Sequence, residues 1–174
     1  EDEIKLDRLA KALGVRGFRQ GPVYQKMRRG NQNRKGIPYM RFPEWLFCER
    51  CRLMKKIPIN HARRRPTCDR CQGKPNLTPM RWIQACKKGH ADDVAWWLWA
   101  HGPGSPCQNK YEDLFFETDR DAGGGLASQV IRAKCGVSRS LEGIMGGSPE
   151  SGMKCTGKQP WEQSWVDCTE KARV

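Results

Sequence analysis

Leu6, Leu9, Ala10 and Leu13 fall at helical spacing within residues 3–13, and Gly14 follows where a helix would close. The pattern predicts one short helix that packs a single apolar stripe on the rest of the molecule. Residues 14–36 lose that rhythm among Gly, Arg, Asn and Gln and read as an exposed loop carrying Lys26, Arg28, Arg29, Arg34 and Lys35. Apolar character returns at Ile37 in IPYMRFPEWLFC, where Pro38 and Pro43 forbid a long helix and leave a short extended segment. LTPMRWIQAC (77–86) predicts a second short strand. In GHADDVAWWLWAH (89–101), Asp92 or Asp93 is placed to cap a short helix on which Trp96, Trp97 and Trp99 cannot all share one side. Those indoles either build the core or anchor a protein–protein surface. Beyond a Gly/Pro loop (102–106), YEDLFFE and LASQVIRAKC predict two strands, separated by an acidic turn and by Gly123, Gly124 and Gly125. Residues 145–160 are again rich in Gly, Ser and Lys.

Composition narrows the class. Of 174 residues, 37% are hydrophobic and mean hydropathy is −0.79, which is low for a self-sufficient core. The expectation is an α+β chain, small and loop-rich, built around a zinc-ribbon-like four-cysteine element with short helices and strands. Three parts are expected: an N-terminal helix and basic loop (1–36), the ribbon-like module (37–88), and a Trp-rich helix with a small strand region (89–174). No apolar run approaches the length of a membrane span or a secretory signal, so a cytoplasmic setting without membrane contact is expected. The chain begins at Glu1 without Met, which fits a processed or truncated start.

The metal expectation rests on spacing. Cys48, Cys51, Cys68 and Cys71 read C-x2-C-x16-C-x2-C. Each pair can turn back onto one ion, and two pairs complete a tetrahedron, the ligand set of a closed structural Zn2+ site. The other five cysteines are Cys86, Cys107, Cys135, Cys155 and Cys168. Cys86 and His90 have C-x3-H spacing, which permits two ligands from one turn, and Cys135, Cys155 and Cys168 are candidates to complete a second site. Against that stands burial of several as small hydrophobes. His90 and His101 bracket the Trp segment and are expected as hydrogen-bonded structural residues.

Charge gives the site a partner. Residues 1–90 hold 23 Lys+Arg against 7 Asp+Glu, and residues 91–174 hold 9 against 12. The loop between the two Cys pairs carries Arg52, Lys55, Lys56, Arg63, Arg64 and Arg65 and no acid. A basic half stapled by a metal points to a polyanion, DNA or RNA, with those six cations on phosphates. The rival reading is a structural scaffold or adaptor whose basic face meets an acidic protein. Catalytic patterns are missing: there is no H-x-E with P-C-x-x-C, no H-E-x-x-H and no Walker loop. The chain reads as a binding module and not an enzyme; a metal-dependent nuclease or modification activity would have to rest on Cys86 or His90.

Taken in order, RFPEWLFCERC, CDRC and the stretch from Pro79 through MRWIQACKKGHADDVAWWLWAH resemble DrmB, the B subunit of bacterial DISARM anti-phage systems. GGGLASQVIRAKCGVSRSLEGI and KCTGKQPWEQ fit the same pattern, so the likeness covers most of the chain. The family's members are several times longer, and this sequence stops at KARV about where they continue; a fragment, a split subunit and a shortened relative all fit. DDVAWW also departs from the shorter aromatic-Pro pattern usual there. The resemblance implies a complex subunit that acts beside a superfamily 2 helicase (DrmA in DISARM) and helps hold phage DNA. It carries over Cys48, Cys51, Cys68 and Cys71 as zinc ligands. DNA contact by the six loop cations comes from electrostatics alone.

Overall fold

The computed structural model describes residues 3–21, 40–58, 65–107, 109, 113–146, 153–162 and 164–174, in two units, Glu1–Met40 and Arg41–Val174. In the first unit β1 (Glu3–Ile4) pairs antiparallel with β2 (Phe18–Arg19), and α1 (Asp7–Leu13) occupies the connection. The helix closes where expected. Gly14 takes φ 64°, open to a residue without Cβ, and the Gly14 and Val15 N–H groups bond back to the Lys11 and Ala10 carbonyls. It starts later than the apolar spacing predicts, because Glu3 and Ile4 pair with Arg19 and Phe18. Leu6, Leu9 and Leu13 of the expected stripe are exposed. Lys26, Arg28, Arg29, Arg34 and Lys35 lie outside the described residues.

The second unit is organised by β3 (Trp45–Phe47), the middle of an antiparallel sheet in the order β4 (Met54–Lys56), β3, β5 (Thr78–Pro79). Successive side chains of a strand leave by opposite faces. Leu46 accordingly joins Cys48, Cys68 and Leu77 in a small cluster, while Trp45 and Phe47 turn to the main core. One three-residue strand thus seats the thiols on one side and the core on the other.

That main core is closed by a second antiparallel sheet, β8 (Leu114–Thr118), β9 (Gln129–Ala133) and β10 (Ser138–Ser140), with β9 central. Leu114 and Phe116 from β8, and Ile131 and Ala133 from β9, alternate inward. The two strands expected in YEDLFFE and LASQVIRAKC are β8 and β9; the sequence reading missed β10. α2 (Trp96–His101) packs on β9 and β10 and buries Trp96, Trp99 and Ala100. Trp97 stays half-buried, stacked on His101. The indoles are therefore chiefly core.

Two expectations are corrected. LTPMRWIQAC is two strands, not one: β5 pairs with β3, whereas β6 (Ile83–Ala85) pairs with β7 (Ala91–Asp93) in a separate ribbon. Met80, between them, donates its N–H to the Trp45 carbonyl and buries its side chain, so the chain changes sheets there. Asp92 and Asp93 do not cap α2. They lie in β7, and α2 begins after Ala95 without a side-chain cap. The Asp93 carboxylate instead accepts the Glu44 and Trp45 N–H groups at 3.0 and 3.2 Å, tying β7 to the start of β3. The class is as expected, α+β and loop-rich. Among the described residues no helix is long and apolar enough to cross a membrane.

Candidate metal centres

β3 delivers Cys48 to the first turn. The Cys48 N–H bonds the Leu53 carbonyl, and the Arg52 N–H bonds the Cys48 carbonyl, which folds Cys51 back beside Cys48. The second turn is built alike: the Cys68 N–H bonds the Pro75 carbonyl, and the Lys74 N–H bonds the Cys71 carbonyl, with Gly73 at φ 80°. The four sulfurs lie within 4.8 Å of one another. Cys48 Sγ is 3.9 Å from Cys71 Sγ, and Cys51 Sγ is 3.7 Å from Cys68 Sγ. A tetrahedron of sulfurs each about 2.3 Å from a central ion has edges of about 3.8 Å. A disulfide would need about 2.05 Å. The spacing suits a shared ion and not a covalent bond, so this cluster could hold a metal.

The thiols ionise unequally in this arrangement. Desolvation works to raise Cys48, yet the Cys51 and Arg50 backbone N–H groups and the neighbouring thiols outweigh it and bring it down to about 7. Desolvation and then the adjoining thiols push Cys71 up to about 12. A central dication would let all four deprotonate.

Around the cluster the loop cations are placed differently from one another. Arg52 takes φ 64°, sets its guanidinium 4.9 and 5.2 Å from the Phe47 and Phe116 ring centres, and donates through Nε to the Phe116 carbonyl. Lys55 Nζ lies 2.6 Å from Asp69 Oδ2 and Lys56 Nζ 3.3 Å from Glu44 Oε2, the first pair exposed and the second with Glu44 half-buried. The Lys55 ammonium, chiefly by its hydrogen bond, lowers the Asp69 carboxyl below the ordinary range. Arg65 is exposed; Arg63 and Arg64 lie outside the described residues. Arg50, which the sequence reading did not single out, donates to the Gln72 carbonyl at 2.9 Å and spans the two turns.

The remaining cysteines do not gather as one group. Cys86 and His90 meet Cys155 and Cys168, whereas Cys135 joins His101 and Cys107. The C-x3-H spacing signalled the first of these; no local signal marked the second. Both histidines expected as structural stand against thiols.

The profile of the family described as Domain of unknown function (DUF8724) matches residues 1–174, and the chain belongs to that family. The chain is also 27% identical over 134 residues to the DISARM protein DrmB of Bacillus paralicheniformis (strain ATCC 9945a / NCIMB 11709 / CD-2). That alignment takes in 72% of this chain and 23% of the relative, so the chain spans about a quarter of the curated relative it matches.

Proposed function

We propose that this member of the DUF8724 family is a non-enzymatic, zinc-stabilised DNA-binding subunit of an anti-phage defence complex, working in the cytoplasm beside a superfamily 2 helicase. The observation that carries this reading is the thiol set of Cys48, Cys51, Cys68 and Cys71 at the base of a loop with six cations and no acid. Sulfur edges near 3.8 Å favour Zn2+ in an all-thiolate site, closed to substrate and therefore structural. The likeness to DrmB supplies the setting, defence within a multi-subunit system.

Lys55, Lys56, Arg63, Arg64 and Arg65 are the proposed phosphate contacts. Arg52, engaged with Phe116, contributes its charge to the field. Lys55 and Lys56 would exchange surface pairs with Asp69 and the half-buried Glu44 for phosphates, a small loss since surface pairs contribute about 0–1 kcal/mol each. Contacts of this kind position a duplex without reading its sequence.

The test is a salt titration of binding to generic duplex and single-stranded DNA. Neutralising three to five phosphates predicts a slope of log K on log salt of about −3 to −5. No binding at micromolar concentration in low salt would overturn the DNA reading. Capture of an acidic partner by the same face would then favour the scaffold, because that face already pairs with carboxylates at Asp69 and Glu44.

A further inference from the structure

We propose that Cys86, His90, Cys155 and Cys168 form a second tetrahedral zinc site, whose role is to fasten the C-terminal segment to the β6–β7 ribbon. The ligand atoms lie within 4.8 Å of one another. His90 Nδ1 stands 3.4 Å from Cys86 Sγ and 3.5 Å from Cys155 Sγ. An ion about 2.3 Å from sulfur and about 2.05 Å from nitrogen gives a sulfur–nitrogen edge of about 3.5 Å. Both thiols also sit in turns that point backbone N–H groups at sulfur: Lys88 N–H to Cys86 Sγ and Gly157 N–H to Cys155 Sγ, each 3.3 Å. Such donors stabilise a thiolate and fix its direction.

The segment that supplies Cys155 and Cys168 needs an anchor. Residues 153–174 form no regular strand or helix among those described, and Trp161, Trp165 and Val166 are exposed. Backbone pairs nevertheless hold it in place: Ala85 with Arg173 in both directions, Ala91 N–H with the Lys158 carbonyl, and Lys154 opposite Lys171. Its own fold is tight. A Cβ on Gly157, at φ 70°, would fall 1.6 Å from the Val166 carbonyl oxygen. Met153 and Val174 reach the main core at the two ends of the segment, and Ala172 is buried. For the stretch in between, Cys155 and Cys168 offer a metal cross-link between positions far apart in sequence.

A different observation carries a third site at His101, Cys107 and Cys135. His101 Nδ1 lies 2.9 Å from the Trp97 carbonyl, which can only accept, so the proton sits on Nδ1. The Nε2 lone pair then faces Cys135 Sγ at 3.3 Å, with the ring held flat against Trp97 at 4.2 Å and 14°. A ligand histidine oriented by a carbonyl on its other nitrogen is the usual arrangement at metals. The three groups use all nine cysteines of the chain, which explains an odd count without a disulfide.

Native mass spectrometry of the chain purified with zinc tests both sites. Three zinc ions per chain are expected, falling to two in C155S/C168S and to two in C107S/C135S. A C155S/C168S chain that keeps the full complement overturns the second site, and a C107S/C135S chain that does so overturns the third, whatever happens at the first. The unaltered chain gives an independent readout through maleimide labelling. Cys155, Cys168, Cys107 and Cys135 should each react at least tenfold faster after chelation. Equal rates with and without zinc at either group would reject that site.

Discussion

Arg52 meets two demands that a cation in an open loop does not. Its backbone sits at φ 64°, where a side chain carries strain, and its guanidinium lies between Phe47 and Phe116 while bonding the Phe116 carbonyl. It joins the sheet under the thiols to the sheet that closes the core. Arg52→Ala should therefore cost about 1.5–3 kcal/mol in urea unfolding, the range for a hydrogen bond to a charged group. Lys55→Ala with Lys56→Ala should cost about 0–1 kcal/mol for each surface pair removed, yet should flatten the salt slope of DNA binding by about 2. Equal effects of the two variants on stability would show that Arg52 is not structural. In the sequence Arg52 is one of six similar cations. What sets it apart is Phe116, 64 positions away, and no local pattern contains that residue.

At the scale of elements, Asp93 does what a cap was expected to do, but for a strand. The residue is 6% exposed, and its carboxylate takes the Glu44 and Trp45 N–H groups at the start of β3. Burial is the largest influence on it and raises its pKa, against those N–H bonds and Lys56. With the folded pKa above the unfolded value, the carboxyl's favourable share of stability is complete below the ordinary carboxylate pKa. That share is lost as pH climbs through the raised value. Asp93→Ala strands two donors and should cost about 1–3 kcal/mol. Asp93→Asn retains one acceptor, carries no charge, and should cost less, most visibly at neutral pH. Thermal unfolding of both variants at pH 5.5 and 7.5 checks this; an Asn variant as unstable as Ala would refute it. The strand–helix boundary misled the sequence reading for a physical reason. An Asp pair before an aromatic run satisfies the helix-capping pattern, but pairing of Ala91–Asp93 with Ile83–Ala85 claims those residues first. Where local pattern and packing agreed, as at Gly14, β3, β8 and β9, the elements were legible.

For the molecule as a whole, the polar composition and the thiol clusters belong together. A chain with 37% hydrophobic residues builds a main core from a few large side chains, and Trp45, Trp82, Trp96, Trp97 and Trp99 all pack in or against it. The thiol cluster around Leu46 and Leu77 adjoins that core through the single strand β3. Its thiols were legible as a group because two C-x2-C turns are local; that Cys155 and Cys168, and not Cys135, join Cys86 and His90 was not, because Cys155 lies 65 positions beyond His90. Structural zinc contributes about 10–16 kcal/mol of apparent binding free energy in small peptides, as much as the whole stability of an ordinary domain. On the proposed reading, removing zinc should therefore unfold the second unit and not merely empty a site. Chelation of the reduced chain is expected to abolish near-ultraviolet circular dichroism from these indoles and to shift their emission to the red. Adding back zinc, but not magnesium, should restore both, since thiolates select the softer ion. Lower pH should shift the chelation midpoint toward easier loss, because each released thiolate takes up a proton. Retention of the indole signals after all zinc has left would mean that the apolar core alone carries the fold, and that the metals serve the basic face without supporting the molecule beneath it.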